Sequence, residues 1–165
     1  MTGEAVEPGL FREIMASFPS GVVVLTALGA DGRPHGLTVS AFCPVSLMPP
    51  LLLACVDRTS NTLPAIRRSG YFTINILQAG RQELARLMAT KAPDKFETLR
   101  WSAAPVARAG PVLELEAAAY ACCEIAQELE AGDHLVFIGR VLAGGVFEGR
   151  TPLVYHRRAF LELGG

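Results

Sequence analysis

No stretch of this chain is apolar for long enough to cross a membrane as a helix. The strongest candidate, Leu47 to Val56, is ten residues long and carries Pro49-Pro50, where a span requires roughly 20 apolar residues. Charge is also scarce. Fifteen Lys+Arg stand against sixteen Asp+Glu, a formal net of −1, so there is no basic footprint for nucleic acid. Cysteines are few and unpatterned: Cys43, Cys55, Cys122 and Cys123 contain no C-x-x-C spacing, which excludes a zinc-finger or thioredoxin-like motif. On a strand, Cys122 and Cys123 would point to opposite faces. All four are expected to be buried, reduced small hydrophobes. The N-terminal MTGEAVEPGLFREIM has acidic residues where a secretory signal is basic, and no apolar core, so a cytoplasmic protein is expected. There is no phosphate-loop motif and no G-x-G-x-x-G after a strand, and no G-x-S-x-G elbow. His35, His134 and His156 fall in three separate contexts, and no metal site is expected.

What is present is apolar mass. Half of the 165 residues are hydrophobic, enough for one domain with its own core. So little net charge leaves little to resist self-association, and a second copy of the chain is the expected partner. Leu10, Phe11, Ile14, Met15 and Phe18 recur at helical spacing before Pro19. The period then changes to that of strands. Gly21–Ala27 and His35–Phe42 read as strands joined by an Asp31-Gly32 turn, with Pro44 in the loop that follows. Leu51–Val56 reads as a strand buried on both sides. Thr59-Ser60-Asn61-Thr62 supplies caps for a helix over Leu63–Ser69 that Gly70 ends. Tyr71–Leu77 alternates as a strand, and Arg81–Ala89 is a helix. Thr90–Gly110 is a long loop, of a length that often marks function. Strands over Ala118–Gln127 and His134–Phe147 flank a turn at Glu130–Asp133. Short segments at Leu153–Tyr155 and Phe160-Leu161 close the chain. The sum is mainly β: a closed antiparallel barrel with about three peripheral short helices, a β-sandwich being the alternative.

Four polar clusters interrupt this pattern. Thr38-Val39-Ser40-Ala41 ends a strand with small hydroxyl residues that leave room for a ligand; the plainer reading is a half-buried strand. Asp57-Arg58-Thr59-Ser60-Asn61-Thr62 leads into a helix start and is a natural phosphate seat, or a simple cap. Lys91-Ala92-Pro93-Asp94-Lys95-Phe96 brings two cations and an aromatic, or is a solvated loop. Gly132-Asp133-His134 is a turn with a histidine opening a strand.

In this order the segments resemble the flavin reductase family with the FMN-binding split barrel, the reductase components of two-component flavin monooxygenases. The residues that carry the likeness are Phe18-Pro19-Ser20-Gly21-Val22, Gly36 to Phe42, Val45 to Pro50, Cys55-Val56-Asp57-Arg58, Asp94-Lys95-Phe96, Gly132-Asp133-His134 and Tyr155-His156-Arg157. They cover about residues 10–162 of a single 1–165 domain, with a Greek-key split barrel implied. The resemblance implies NAD(P)H-dependent reduction of FMN or FAD, with reduced flavin passed to a separate monooxygenase. It also implies a homodimer with flavin near the subunit interface. By position, Thr38, Val39, Ser40 and Ala41 would face the flavin's pyrimidine edge. Cys55, Val56 and Asp57 would line the ring. Ser60, Asn61, Thr62 and Lys95, with Phe96 beside it, would hold the ribityl phosphate. His134, Tyr155 and His156 would lie near the nicotinamide, His156 orienting it. One departure is Ser40-Ala41, where many members have two serines. The alternative is a flavin- or haem-binding split-barrel module with little turnover.

Overall fold

Every strand pairing in the molecule is antiparallel. The computed structural model describes residues 3–163; Met1, Thr2, Gly164 and Gly165, the ends of the expected domain span, lie outside the described residues. The elements are α1 (Pro8–Ala16), β1 (Ser20–Gly21), β2 (Val23–Leu28), β3 (Pro34–Val39), β4 (Phe42–Ser46), β5 (Leu51–Asp57), α2 (Leu63–Ser69), β6 (Tyr71–Leu77), α3 (Gln82–Ala89), β7 (Ala117–Ala131), β8 (His134–Val146), β9 (Leu153–His156) and β10 (Ala159–Glu162). They form a seven-stranded sheet ordered β3-β2-β6-β7-β8-β5-β4 and a three-stranded sheet β1-β9-β10. The architecture is therefore mainly β with few, short helices. The expected closed barrel is not seen in the hydrogen-bond ladder, which starts at β3 and stops at β4. These two edge strands are consecutive, joined only by Ser40 and Ala41. At that corner the Phe42 N–H donates to the Ser40 carbonyl (3.0 Å) and the Cys55 N–H to the Ala41 carbonyl (2.9 Å).

Alternation decides which side chains enter the core. One apolar cluster gathers Leu25, Val39, Ala54, Val56, Ile66, Phe72 and Phe137 from five strands and from α2. A second lies under α3 and joins Val22, Val24, Leu77, Leu84, Met88 and Leu153. β2 and the middle of β6 are buried on both faces, and β5 is not. β2 has a core on each side, whereas β5 buries Leu52, Ala54 and Val56 and leaves Leu51, Leu53 and Cys55 half-exposed. A strand is doubly buried only when a further layer covers it, and no helix lies over the outer face of β5.

Other departures have local reasons. The strand expected over His35–Phe42 breaks at Ser40-Ala41 to turn the corner. Pro44 lies inside β4 rather than in a loop, at a register shift on an edge strand, where a missing N–H costs no ladder bond. β7 runs on to Ala131, so the turn is Gly132-Asp133 alone, with Gly132 at φ 62. Cys122 and Cys123 are buried, but Cys43 is exposed. Burial pushes the Cys123 thiol up to about 12. The apolar stripe of α1 covers nothing: none of its residues is buried, and Phe11 and Ile14 are 54% and 53% exposed. Among the described residues no helix is long and apolar enough to cross a membrane.

The long segment between α3 and β7 is held by a buried polar network that the strand pattern did not single out. Thr26 and Thr73 donate to the Pro111 and Gly110 carbonyls (2.7 and 2.6 Å). Asn75 Oδ1 accepts from the Leu113 N–H (2.8 Å), and its Nδ2 donates to the Pro111 carbonyl (3.3 Å). Gly110 sits so close to β2 that a Cβ there would fall 2.1 Å from the Thr26 carbonyl. Asn75→Ala leaves the Leu113 N–H without a partner in a fully buried site. It is expected to lower stability by about 1–3 kcal/mol, read from the midpoint of a urea titration with unchanged slope.

Candidate functional site

Three depressions lie end to end along β3 and α3. The largest, a cleft of about 660 Å³, is lined by Thr38, Ser40, Gln82, Arg86, Tyr155 and Arg158 among others. It shares Thr38 and Ala89 with a hollow of about 200 Å³ bearing Asp57, Thr59, Ser60, Asn61, Thr62, Lys91 and Lys95. That hollow shares Asn61, Thr62 and Lys95 with a third, of about 290 Å³, that reaches Arg33, His35 and Phe96. The result is one continuous track with a polar middle.

The walls of this track are fixed by two tethers. The Thr38 hydroxyl donates to the Ala85 carbonyl (2.6 Å), tying β3 to α3. The Lys95 ammonium donates to three carbonyls: Gly36 of β3 (2.9 Å), Met88 of α3 (3.0 Å) and Thr90 just beyond it (2.7 Å). An ammonium has three protons, and here each has a backbone acceptor. Burial pulls the Lys95 pKa below its ordinary value. Two of the acceptors lie at the C-terminal end of α3, where orphan carbonyls and the helix dipole favour a cation. Lys95 thus reaches any phosphate in the middle hollow through its charge rather than through a spare hydrogen bond. Gly36 lets Phe96 lie against β3, since a Cβ there would come within 2.9 Å of its ring.

The middle hollow is built from side chains more than from amides. The N–H groups of Thr59, Ser60, Thr62 and Leu63 are spent inside the turn, and Pro64 has none. Asp57 turns Oδ1 onto the Thr59 N–H (2.6 Å) and hydroxyl (2.7 Å), and the Thr59 hydroxyl first of all holds this carboxyl below its usual pKa. Lys91 Nζ reaches the Thr59 hydroxyl (3.3 Å) with two protons to spare, and the Asn61 amide reaches the Lys91 carbonyl (3.4 Å). Ser60, Asn61 and Lys91 are the donors aimed at an anion. Of the two loop cations, the resemblance singles out Lys95 alone, because composition cannot say which of the two is already used.

The expected site residues separate into groups. Thr38, Ser40 and Tyr155 line the cleft; Asp57, Ser60, Asn61, Thr62 and Lys95 line the hollow; Phe96 lines the far end. Val39 and Val56 are buried in the core, 4% and 0% exposed, so their side chains line none of the three depressions in a single copy. Alternation sends their neighbours Thr38, Ser40, Cys55 and Asp57 the other way. Ala41, Cys55, His134 and His156 line none of the three depressions. His134 stands opposite Asp57 in the sheet, its Nδ1 2.7 Å from Asp133 Oδ1, whereas His156 lies in the other sheet, opposite Ala159. A single copy does not bring the two histidines together.

A polar, lysine-bearing hollow adjoining a larger, part-apolar cleft, on an antiparallel β framework, suits a nucleotide- or flavin-binding β protein. Comparison with known proteins names the family. The model of the flavin reductase like domain matches residues 15–164. Flavin reductase (NADH) of Kitasatospora aureofaciens is 43% identical over 157 residues, covering 94% of this chain and 81% of that protein. The reductase subunit HsaB of a flavin-dependent monooxygenase from Rhodococcus jostii is 33% identical over 157 residues, 95% of this chain and 78% of that one. The solved NADH:FAD oxidoreductase SgcE6 of Streptomyces globisporus superposes with a TM-score of 0.88 at 30% identity, over the whole of both chains. The chain belongs to the flavin reductase family.

The two lysines separate in a binding experiment. Lys91→Ala is expected to weaken FMN by about 1 kcal/mol, the scale of an exposed charged contact, and to leave riboflavin unchanged, as read by quenching of flavin fluorescence. Lys95→Met removes the clamp and weakens both. A loss confined to FMN in Lys95→Met would return Lys95 to the phosphate.

Proposed function

We propose that this chain binds FMN or FAD along the β3–α3 track and exchanges hydride there with NADH or NADPH, as a flavin reductase that supplies reduced flavin to a separate monooxygenase. The observation that carries this reading is the continuity of the cleft with the Ser60–Asn61–Lys91 hollow, which fits an apolar ring system bearing a phosphate tail. The donor set suits the cofactor: Ser60, Asn61 and Lys91 would hold the phosphate, with the Lys95 charge behind them. Thr38 and Ser40 would meet the ring's polar edge, and Cys55 and Asp57 would approach it from β5. When bound, the nicotinamide supplies a hydride and the flavin accepts it. The protein's own part is positional. Thr38 and Lys95 hold β3 and α3 apart at a fixed width, and Tyr155, packed on Phe160 (ring centroids 5.1 Å), gives the cleft an apolar wall that excludes water. No side chain is needed as nucleophile.

The same reading includes a homodimer of single-domain subunits. The outer face of β5 and β8 carries Leu53, Cys55, Val136 and Ile138 half-exposed, with Leu53 opposite Ile138 and Cys55 opposite Val136. Leu47 and Met48, 86% and 88% exposed, stand at its end. A second copy over this face would cover the apolar surface and bring Cys55 and His134 against the flavin. The corner at Ser40-Ala41, where the two edge strands follow each other, supports closure of the seven-stranded sheet into a split barrel.

Purified protein is expected to oxidise NADH or NADPH only when FMN, FAD or riboflavin is added; no turnover with any pairing would sink the reductase reading. Light scattering is expected to give twice the 17.6 kDa chain mass. Met48→Glu, fully foldable because Met48 packs on nothing in one copy, is expected to shift that mass toward the monomer.

A further inference from the structure

The largest cleft holds more chemistry than the flavin reading uses. Two arginines line it, Arg86 from α3 and Arg158 from the β9–β10 turn, and no carboxylate does. Arg86 is braced: its guanidinium lies 5.2 Å from the centre of the Phe160 ring and pairs with Glu83 one turn earlier. Arg158 belongs to no ion pair among the described residues. Gln82, the first residue of α3, faces the same cleft with a buried Oε1 that accepts no hydrogen bond.

The turn that presents Arg158 is unusual. His156 pairs with Ala159, so the hairpin loop is Arg157-Arg158 alone, at φ 46 and 63. Two-residue hairpins with both residues left-handed favour Asn and Gly, and a residue with a side chain is disfavoured in that backbone. The conformation is imposed from outside: the β9–β10 ladder grips both sides, and the Arg157 N–H donates to the Ala16 carbonyl of α1 (2.9 Å). Strain maintained in this way is a pointer to a functional site, and here it presents an unpaired guanidinium to a cavity.

We propose that Arg158, with Arg86, is the pyrophosphate seat of the nicotinamide dinucleotide, and that Gln82 Oε1 accepts an N–H of its carboxamide. The inference rests on the reductase reading for the identity of the ligand. Two guanidiniums match the two charges of a pyrophosphate, and a planar fork of N–H donors suits its oxygens. Gln82 Oε1 has no donor among the described residues and is open to accept one from a bound group.

Arg158→Gly removes the guanidinium and replaces it with the residue that the turn's backbone favours. The variant is expected to keep or raise the wild-type melting temperature while its KM for NADH rises about tenfold, the worth of one charge-assisted contact. Affinity for ADP-ribose, which carries the pyrophosphate and no nicotinamide, falls by the same factor, and that for FMN does not. Gln82→Met, which keeps helix propensity and length, is expected to raise KM for NADH and leave ADP-ribose affinity unchanged. A KM for NADH within about twofold of wild type in Arg158→Gly, with ADP-ribose binding intact, overturns the assignment. Should the protein prove inactive with every flavin, the ADP-ribose titration still decides: a loss in Arg158→Gly sustains the anion seat, and no loss overturns it.

Discussion

Three carbonyls from three segments converge on the Lys95 ammonium, and the width of the whole track depends on that convergence. β3 supplies one wall through Gly36, α3 another through Met88, and the start of the long loop a third through Thr90. Met88 and Thr90 lie at the end of α3, where carbonyls lack helix partners, so the cation satisfies acceptors that would otherwise need water. A half-buried ammonium is tolerable only because its protons are all used. Through this clamp the turn bearing Lys91 is held over the hollow. Through Thr38 and Ala85 the cleft above keeps its mouth open.

The sheet distributes its residues by the same economy. Most strands of the large sheet give one face to the core; β2 gives both and the edge strand β4 buries no residue. What remains on the other face is covered by α3 at β2 and uncovered at β5 and β8. That asymmetry assigns two roles to one sheet: a track for ligands beside the helix, and an apolar face, with Leu53 and Ile138 at its middle, that suits a second copy. The buried Thr26–Thr73–Asn75 network anchors the long segment that closes the end of the core, so the segment can lack regular structure and still be fixed.

Much of this was legible beforehand. The helix over Leu63–Ser69 stops at Gly70 because the chain there needs a left-handed residue (φ 73), and Gly is the residue that accepts it. The β6 strand and α3 were readable from period alone. The break at Ser40-Ala41 was not, because the two strands it separates have a similar apolar pattern and the corner is set by pairing with β5. For the same reason, the motif positions of Val39 and Val56 do not say which way their side chains point, whereas strand register does.

The sequence by itself determined the β character, the Asp31-Gly32 hairpin, the helix end at Gly70 and the family, since these follow from local backbone preference, hydrophobic period and an ordered set of short segments. Tertiary structure alone decided that Lys95 is spent on carbonyls while Lys91 keeps protons to spare, that His134 and His156 lie in different sheets, and that Gln82, Arg86 and Arg158 share one cleft. Those facts depend on where side chains from α3, the long loop and the last hairpin converge. Convergence is a property of packing between elements distant in the chain, and no local pattern encodes it.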